Sequence, residues 1–240
     1  MKIATYNLLR GGTGKRHWAT MLDEHNVSLL LVQESFPPDE HLPPQLHPQA
    51  RSKSVWEPIV GNAWGSGIYS PHGKVTQVPV ADFAGWVVGA EIDGLPAHSK
   101  PVLVFSVHAP TGAESYSKAV NKILDRIASV AQGRETIIGG DFNLAISESD
   151  DPAKPVSKQD AAIQARLRDE FGLINCWRTA HPDVPPAQTL RWNKACETPY
   201  HCDALFVPAA WRDRLQTCEI LSGDSWNKMS DHNPVVATFS

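Results

Sequence analysis

Seven short runs rich in Val, Ile and aromatic residues recur along this chain, and they outnumber its helical stripes without alternating with them. The runs are Ile3 to Leu8, Leu29 to Gln33, Trp86 to Ile92, Val102 to His108, Thr136 to Gly140, Cys202 to Val207 and Pro234 to Phe239. Such runs, bounded by turn residues, predict strands. Helical spacing is confined to Val120, Ile123, Leu124, Ile127 and Val130, then to Ile163, Leu167 and Phe171, with a weaker third stretch from Arg16 to His25. Regular alternation of strand and helix would predict a doubly wound parallel sheet. Its absence predicts an α/β fold with mixed sheet, sheets inside and helices outside.

At 240 residues the chain suits one domain with a large core, and nothing in it reads as a linker, so residues 1–240 are taken as a single domain. The segments Pro37 to Pro48, Ser147 to Lys158 and Pro182 to Pro186 are rich in Pro, Asp and Ser and predict surface loops. A formal charge of -4 argues against the long basic track that grips duplex nucleic acid. It leaves a nuclease open, because acids gathered around a bound cation reverse their local sign. Strand-like patterning begins at once from Met1, so no signal peptide is expected, no stretch is long enough to span a bilayer, and a cytoplasmic protein is predicted. Cys176, Cys196, Cys202 and Cys218 lack zinc-like spacing and are expected as buried thiols, with a Cys196–Cys202 bridge as the alternative after export.

The residues able to do chemistry stand where the predicted strands end. Asn7 follows the first run, Glu34 the second, His108 closes Val104 to Val107, and Asp141 with Asn143 follows Ile137-Ile138-Gly139-Gly140. Asp203 opens Ala204 to Val207, and Asp231-His232 precedes the last run. Acids, amides and imidazoles at strand ends can converge on one rim of a sheet, held by the scaffold and open to solvent. A hard cation such as Mg²⁺ takes oxygen ligands and keeps several waters, so one or two carboxylates and an amide suffice for it. A His held by a carboxylate, or a second carboxylate, can then take a proton from water. Singly, each residue has a plain alternative: Asn7 as a turn residue, Glu34 as a strand's exit into solvent, His108 as a core histidine. Together those alternatives would have to coincide at every position.

Thr5-Tyr6-Asn7, Val32-Gln33-Glu34, Ser106-Val107-His108-Ala109-Pro110, Gly140-Asp141-Phe142-Asn143 and Ser230-Asp231-His232-Asn233-Pro234-Val235 resemble the ordered motifs of the endonuclease/exonuclease/phosphatase family, which includes pancreatic deoxyribonuclease and the abasic-site endonucleases. The resemblance implies a four-layer α/β sandwich, with two mixed, mostly antiparallel sheets packed face to face and helices outside. It implies Mg²⁺ or Mn²⁺ as cofactor, with Glu34 as the principal metal carboxylate, Asn7 beside it and Asp231 completing the metal side. His232 would contact the scissile phosphate or act as base, with Asp203 orienting it; Asp141 would activate water or assist the leaving group; Asn143 and His108 would hold phosphate oxygens. The family divides over whether His232 or Asp141 takes the proton, and both stay open here. Glu197, His201 and Asp213 lie close enough to Asp203 to compete for its role, but only Asp203 directly precedes an apolar strand.

His108 stands where abasic-site enzymes usually carry Tyr, which draws the resemblance toward deoxyribonuclease and away from abasic-site repair. Trp192 and Arg191 match a region where relatives meet substrate, and an aromatic with an arginine could stack a base and meet a phosphate. Arg10, followed by Gly11-Gly12, could reach the phosphate flank. The remaining histidines, His17, His25, His41, His47, His72, His98 and His181, fall in polar or Pro-rich contexts that predict surface or loop positions. The resulting expectation is a monomeric metal-dependent phosphodiester hydrolase acting on DNA or other nucleic acid, with a small-molecule or lipid head-group phosphoesterase as the alternative.

Overall fold

In a computed structural model, residues 1–12, 17–110, 112, 114–146, 156–191 and 200–240 are described. Twelve strands are assigned among them: β1 Lys2–Gly11, β2 Leu29–Ser35, β3 Ser54–Pro58, β4 Gly65–Tyr69, β5 Lys74–Val78, β6 Val87–Asp93, β7 Val102–His108, β8 Thr136–Asp141, β9 Leu173–Asn175, β10 Asp203–Pro208, β11 Leu215–Ile220 and β12 Val235–Phe239. They form two six-stranded sheets, ordered β11-β12-β1-β2-β4-β3 and β5-β6-β7-β8-β10-β9. Each sheet holds one parallel pair, β1 with β2 and β7 with β8, and is otherwise antiparallel.

Alternation of side chains along the strands builds the layers. Ile3, Leu29 and Leu31 of one sheet meet Val104, Ile137 and Leu205 of the other in a single buried cluster between them. The opposite faces are covered by helices. Leu103, Phe105 and Val107 pack with Val120, Ile123 and Leu124 of the helix Tyr116–Ala131 and with Ile163 and Leu167 of the helix Lys158–Asp169. Ala4, Tyr6, Leu30 and Val32 pack with Trp18, Met21 and Trp226. The molecule is therefore the four-layer sandwich of two mixed sheets with helices outside. No helix among the described residues is long and apolar enough to cross a membrane.

Several local expectations need correction. Pro37 to Pro48 is not a plain loop: helix Pro38–His41, a 3-10 turn Pro44–Leu46 and the start of helix His47–Ser52 occupy it, with proline in each first turn. There the missing N–H costs nothing and φ is already helical. Pro182 to Pro186 does lack regular structure, whereas Ser147 to Pro155 lies outside the described residues. The stretch from Arg16 to His25 is a short helix, His17–Ala19, running into a π turn, Thr20–Glu24; Arg16 itself is not described. Helix Lys158–Asp169 stops before Phe171.

His17 and His41 are buried, not on the surface. His17 Nδ1 lies 3.3 Å from the Tyr6 hydroxyl, while His41 stacks on Trp18 and its Nε2 lies 3.1 Å from Ser35 Oγ. Aromatic neighbours and one hydroxyl each make burial tolerable for a neutral imidazole. Cys176, Cys202 and Cys218 are buried free thiols, and Cys196, with any bridge to Cys202, lies outside the described residues.

Candidate active site

Five strands bring their polar ends to one rim. In the second sheet the parallel register pairs His108 with Asp141, and the antiparallel register pairs Asp141 with Asp203, so three functional side chains form one row. The first sheet contributes Asn7 and Glu34 from its own parallel pair, where the ladder is irregular. The β1–β2 register shifts between Asn7 and Gly11, and the β2–β4 register shifts between Val32 and Ser35. Leu9, Arg10 and Glu34 all take positive φ, +57°, +51° and +49°. Such irregularities re-aim side chains at a sheet's end, and non-glycine residues hold this region only where neighbours enforce it. Here the enforcing contacts are visible: Leu9 N–H donates to Asn7 Oδ1 at 3.0 Å and Arg10 N–H donates to Glu34 Oε2 at 2.7 Å.

Gly140, at φ +148°, explains one glycine before Asp141. A Cβ there would lie 1.8 Å from the Val107 carbonyl oxygen, so only glycine lets β7 and β8 close up beside the site.

The side chains converge. Asn7 Nδ2 donates to Asp141 Oδ2 at 3.0 Å and to Glu34 Oε1 at 3.3 Å, cross-linking carboxylates from opposite sheets. His108 Nε2 lies 3.7 Å from Glu34 Oε1 and 3.9 Å from Asp141 Oδ2. His232 Nδ1 hydrogen-bonds Asp203 Oδ2 at 2.9 Å, while its Nε2 faces Asp141 Oδ2 at 3.7 Å and Asp231 Oδ1 at 4.0 Å. Asn143, at φ +54°, donates its backbone N–H to Asp141 Oδ1 and its Nδ2 to the Ala109 carbonyl. Eight of the residues singled out from the sequence are thus linked in one cluster at this rim: Asn7, Glu34, His108, Asp141, Asn143, Asp203, Asp231 and His232.

The electrostatics split the two histidines. Burial opposes charging His232, but Asp203, Asp141 and Asp231 outweigh it and raise its pKa to about 10, so the ring is an imidazolium near neutral pH. Burial dominates at His108 and lowers its pKa to about 4, leaving it neutral. The Asp141 carboxyl is raised, first by burial and further by Asp203, against the opposing pull of both histidines. Burial also lifts the Cys202 thiol well above its ordinary range, with Asp203 and Asp141 adding to it.

Among the described residues one group of side chains lies close enough together to hold a cation. Ligand atoms of Asp141, Cys202, Asp203 and His232 lie within 4.8 Å of one another. A hard ion is poorly served there, because the thiol is neutral and Asp203 is engaged by His232. Glu34 and Asp231 are the more accessible carboxylates of the rim, with side chains 16% and 34% exposed. Among the described residues no lysine or arginine side chain neutralises either one.

The remaining candidates are placed differently. Arg10 contributes its backbone N–H to Glu34, and its side chain is exposed. Arg191 is 5% exposed, and its guanidinium donates to the Ser230 carbonyl and to Asn233 Oδ1, holding the turn that carries Asp231 and His232. Trp192 lies outside the described residues.

Other contributors were not anticipated. Ser230 Oγ donates to the Asn7 carbonyl and accepts from the His232 N–H, stitching the C-terminal turn to β1. Thr189 Oγ1 accepts the N–H groups of Cys202 and Asp203. Beneath the cleft, Gln33 Nε2 donates to Thr5 Oγ1 and to Ser106 Oγ, which donates to the Val32 carbonyl. Thr5, Gln33 and Ser106 belong to the same sequence motifs as Asn7, Glu34 and His108, which was their only signal. Trp64 and Trp86 border His108, with ring centroids 6.2 and 5.0 Å away.

Comparison with known proteins identifies the family and the fold. The model of the Endonuclease/Exonuclease/phosphatase family matches residues 4–232. Among solved structures, an AP endonuclease from Archaeoglobus fulgidus superposes with a TM-score of 0.71 at 19% identity, over 100% of this chain and 99% of that one. The 3'-5' exonuclease NExo from Neisseria meningitidis gives 0.70 at 20% identity, over 100% of both chains. A structure described as the 3' phosphatase NExo from Neisseria bound to product DNA hairpin gives 0.70 at 20%, over 100% and 99%. No curated protein matches the sequence at a significant level.

Proposed function

Because the chain belongs to the endonuclease/exonuclease/phosphatase family, we propose that it hydrolyses phosphodiester bonds in nucleic acid, DNA foremost, with a divalent cation bound at Glu34. The observation that carries this reading is the Asp203–His232 pair, 2.9 Å apart, with the free His232 nitrogen 3.7 Å from Asp141 in the cleft shared with Glu34. The structural neighbours named for abasic-site, exonuclease and 3' phosphatase activities support the same class of reaction.

Glu34 and Asp231 would hold Mg²⁺ or Mn²⁺, with Asn7 fixing Glu34 in place. When bound, the cation would offset charge on the phosphoryl oxygens. His232, protonated, donates from Nε2 to a non-bridging phosphate oxygen, and Asp203 fixes the ring through Nδ1. Asp141 takes the proton of the attacking water, since burial and the neighbouring Asp203 raise its affinity for a proton. Neutral His108 and the Asn143 amide border the same phosphate and position its oxygens.

Cleavage of a supercoiled plasmid and of a fluorescent oligonucleotide, with Mg²⁺, Mn²⁺ or EDTA, tests this reading. Metal-dependent cleavage is expected, and Glu34→Ala and His232→Ala should each lower it by about 10²-fold or more. Unchanged activity in both variants would end it. Hydrolysis confined to soluble phosphate esters would move the enzyme to the small-molecule class.

A further inference from the structure

The chemistry above leaves two tryptophans without a task. Trp64 immediately precedes β4 in the first sheet and Trp86 immediately precedes β6 in the second, so they reach the rim from opposite sides. Both rings approach His108, inclined to it by 43° and 49°. His108 is 3% exposed beneath them, whereas both tryptophans are only partly buried. The Trp86 backbone is fixed across the sheets: its carbonyl accepts the His108 N–H at 2.8 Å and the Ser66 hydroxyl at 3.4 Å. Core packing accounts for part of Trp86, which lies against the cluster under the helix Tyr116–Ala131. It does not account for Trp64, which joins none of the three core clusters.

We propose that Trp64 and Trp86 form a stacking platform for an unpaired nucleobase beside the scissile phosphate, which makes single-stranded or frayed nucleic acid the preferred substrate. The inference rests on the phosphodiesterase reading above and sharpens it. Indole faces stack on any base, because every base offers a π-face, and such stacking tolerates sequence. In an intact duplex those faces are already covered by neighbouring bases, so a base must leave the stack to reach the platform. A lipid head group or sugar phosphate has no flat ring to place there. Charge points the same way: a net charge of -4 argues against the long basic track on which duplex affinity depends.

The test is a mutant cycle between protein and substrate. Cleavage of one oligonucleotide sequence is measured single-stranded, as duplex, and single-stranded with base-free residues flanking the scissile phosphate. The proteins are wild type, Trp64→Ala, Trp86→Ala and Trp86→Phe, each checked for thermal stability. The single strand should be cleaved faster than the duplex. Each alanine variant should lose on the order of tenfold in kcat/KM on the single strand, mainly through KM, while Trp86→Phe retains most activity. On the base-free strand, wild type should lose a similar factor and the alanine changes should add little. Full activity of both alanine variants, an effect of the alanine changes as large on the base-free strand as on the natural one, or a preference for duplex overturns the proposal. If an alanine variant does not fold, the base-free arm on wild type and the Phe variant still decide. Cleavage that needs Glu34 and His232 but ignores the tryptophans defeats this inference alone; cleavage that needs neither Glu34 nor His232 defeats the underlying reading.

Discussion

Replacing Asp203 by Asn should separate the two roles of the His232 ring, because it keeps an acceptor near Nδ1 and removes the charge. His232 is 5% exposed, and moving its pKa from 6.5 to about 10 favours the imidazolium by about 5 kcal/mol. That preference survives a burial effect of opposite sign, so three carboxylates generate it: Asp203 at 2.9 Å, Asp141 at 3.7 Å and Asp231 at 4.0 Å. Asp203 leads among them and also supplies the hydrogen bond. Removing its charge should therefore lower the pKa of the imidazole from about 10 toward its ordinary range. Two measurements follow. In metal-free protein, the His232 ring proton followed by NMR should titrate at lower pH in the variant than in wild type. In the Mg²⁺-dependent assay, turnover at pH 7 should fall by about 10²-fold, since an unanchored ring no longer presents Nε2 to the phosphate. Metal affinity should stay nearly unchanged, because Glu34 and Asp231 are untouched. A variant with the wild-type titration and the wild-type rate would show that Asp203 does not orient this histidine.

The other predictions concern the scaffold. Arg191→Met keeps an apolar stem but leaves the Ser230 carbonyl and the Asn233 amide oxygen without their donor, so thermal denaturation should report a loss of about 1–3 kcal/mol and kcat should fall with KM little changed. A raised KM at unaltered stability would instead assign Arg191 to the substrate. His17, His108 and His201 are each lowered to about 4 by burial, so the unfolded chain takes up protons first as pH falls; their contribution is complete above about 6.5 and is lost on the way to 4. His232, raised, contributes fully below 6.5 and loses its contribution as pH climbs toward 10. Melting temperature measured across pH should therefore fall on both sides of neutrality, and a flat profile between 6.5 and 4.5 would contradict the buried neutral histidines.

Those same buried histidines mark where sequence pattern loses its grip. All seven expected strands appear, because buried runs such as Leu29 to Gln33 and Val102 to His108 carry their own signal. Five strands escaped notice, and three of them show why. Gly65–Tyr69 is buried throughout but reads G-S-G-I-Y, so glycine hides its hydrophobicity; Lys74–Val78 is an exposed edge; Leu173–Asn175 has three residues. His17 and His41 look like surface residues beside Lys15, Arg16 and the prolines, yet the Tyr6 and Ser35 hydroxyls, supplied by the strands before them, make their burial tolerable. Arg191 shows the reverse limit. Its charge suggested phosphate, but its partner turn lies some 40 residues away, and only the fold brings Ser230 and Asn233 to it.

The eight clustered site residues were legible for a reason that the motif residues between them supply. A functional side chain at a strand end is useful only if two separate sheets hold a fixed register, and buried polar groups fix register where apolar packing alone would tolerate a slip. Gln33 does this by reaching from the first sheet to Ser106 in the second, one residue before Glu34 and two before His108. Thr5, bonded to the same Gln33, stands two residues before Asn7, and Ser230 ties the His232 turn to the Asn7 carbonyl. Four of the five motifs therefore pair a residue at the rim with one that locks the segment carrying it, and the two lie within a residue or two of each other in sequence. That local pairing is why short words such as Thr5-Tyr6-Asn7 and Val32-Gln33-Glu34 could report a site assembled from both ends of the chain, while Trp64 and Trp86, which touch the site without locking a strand, left no such word.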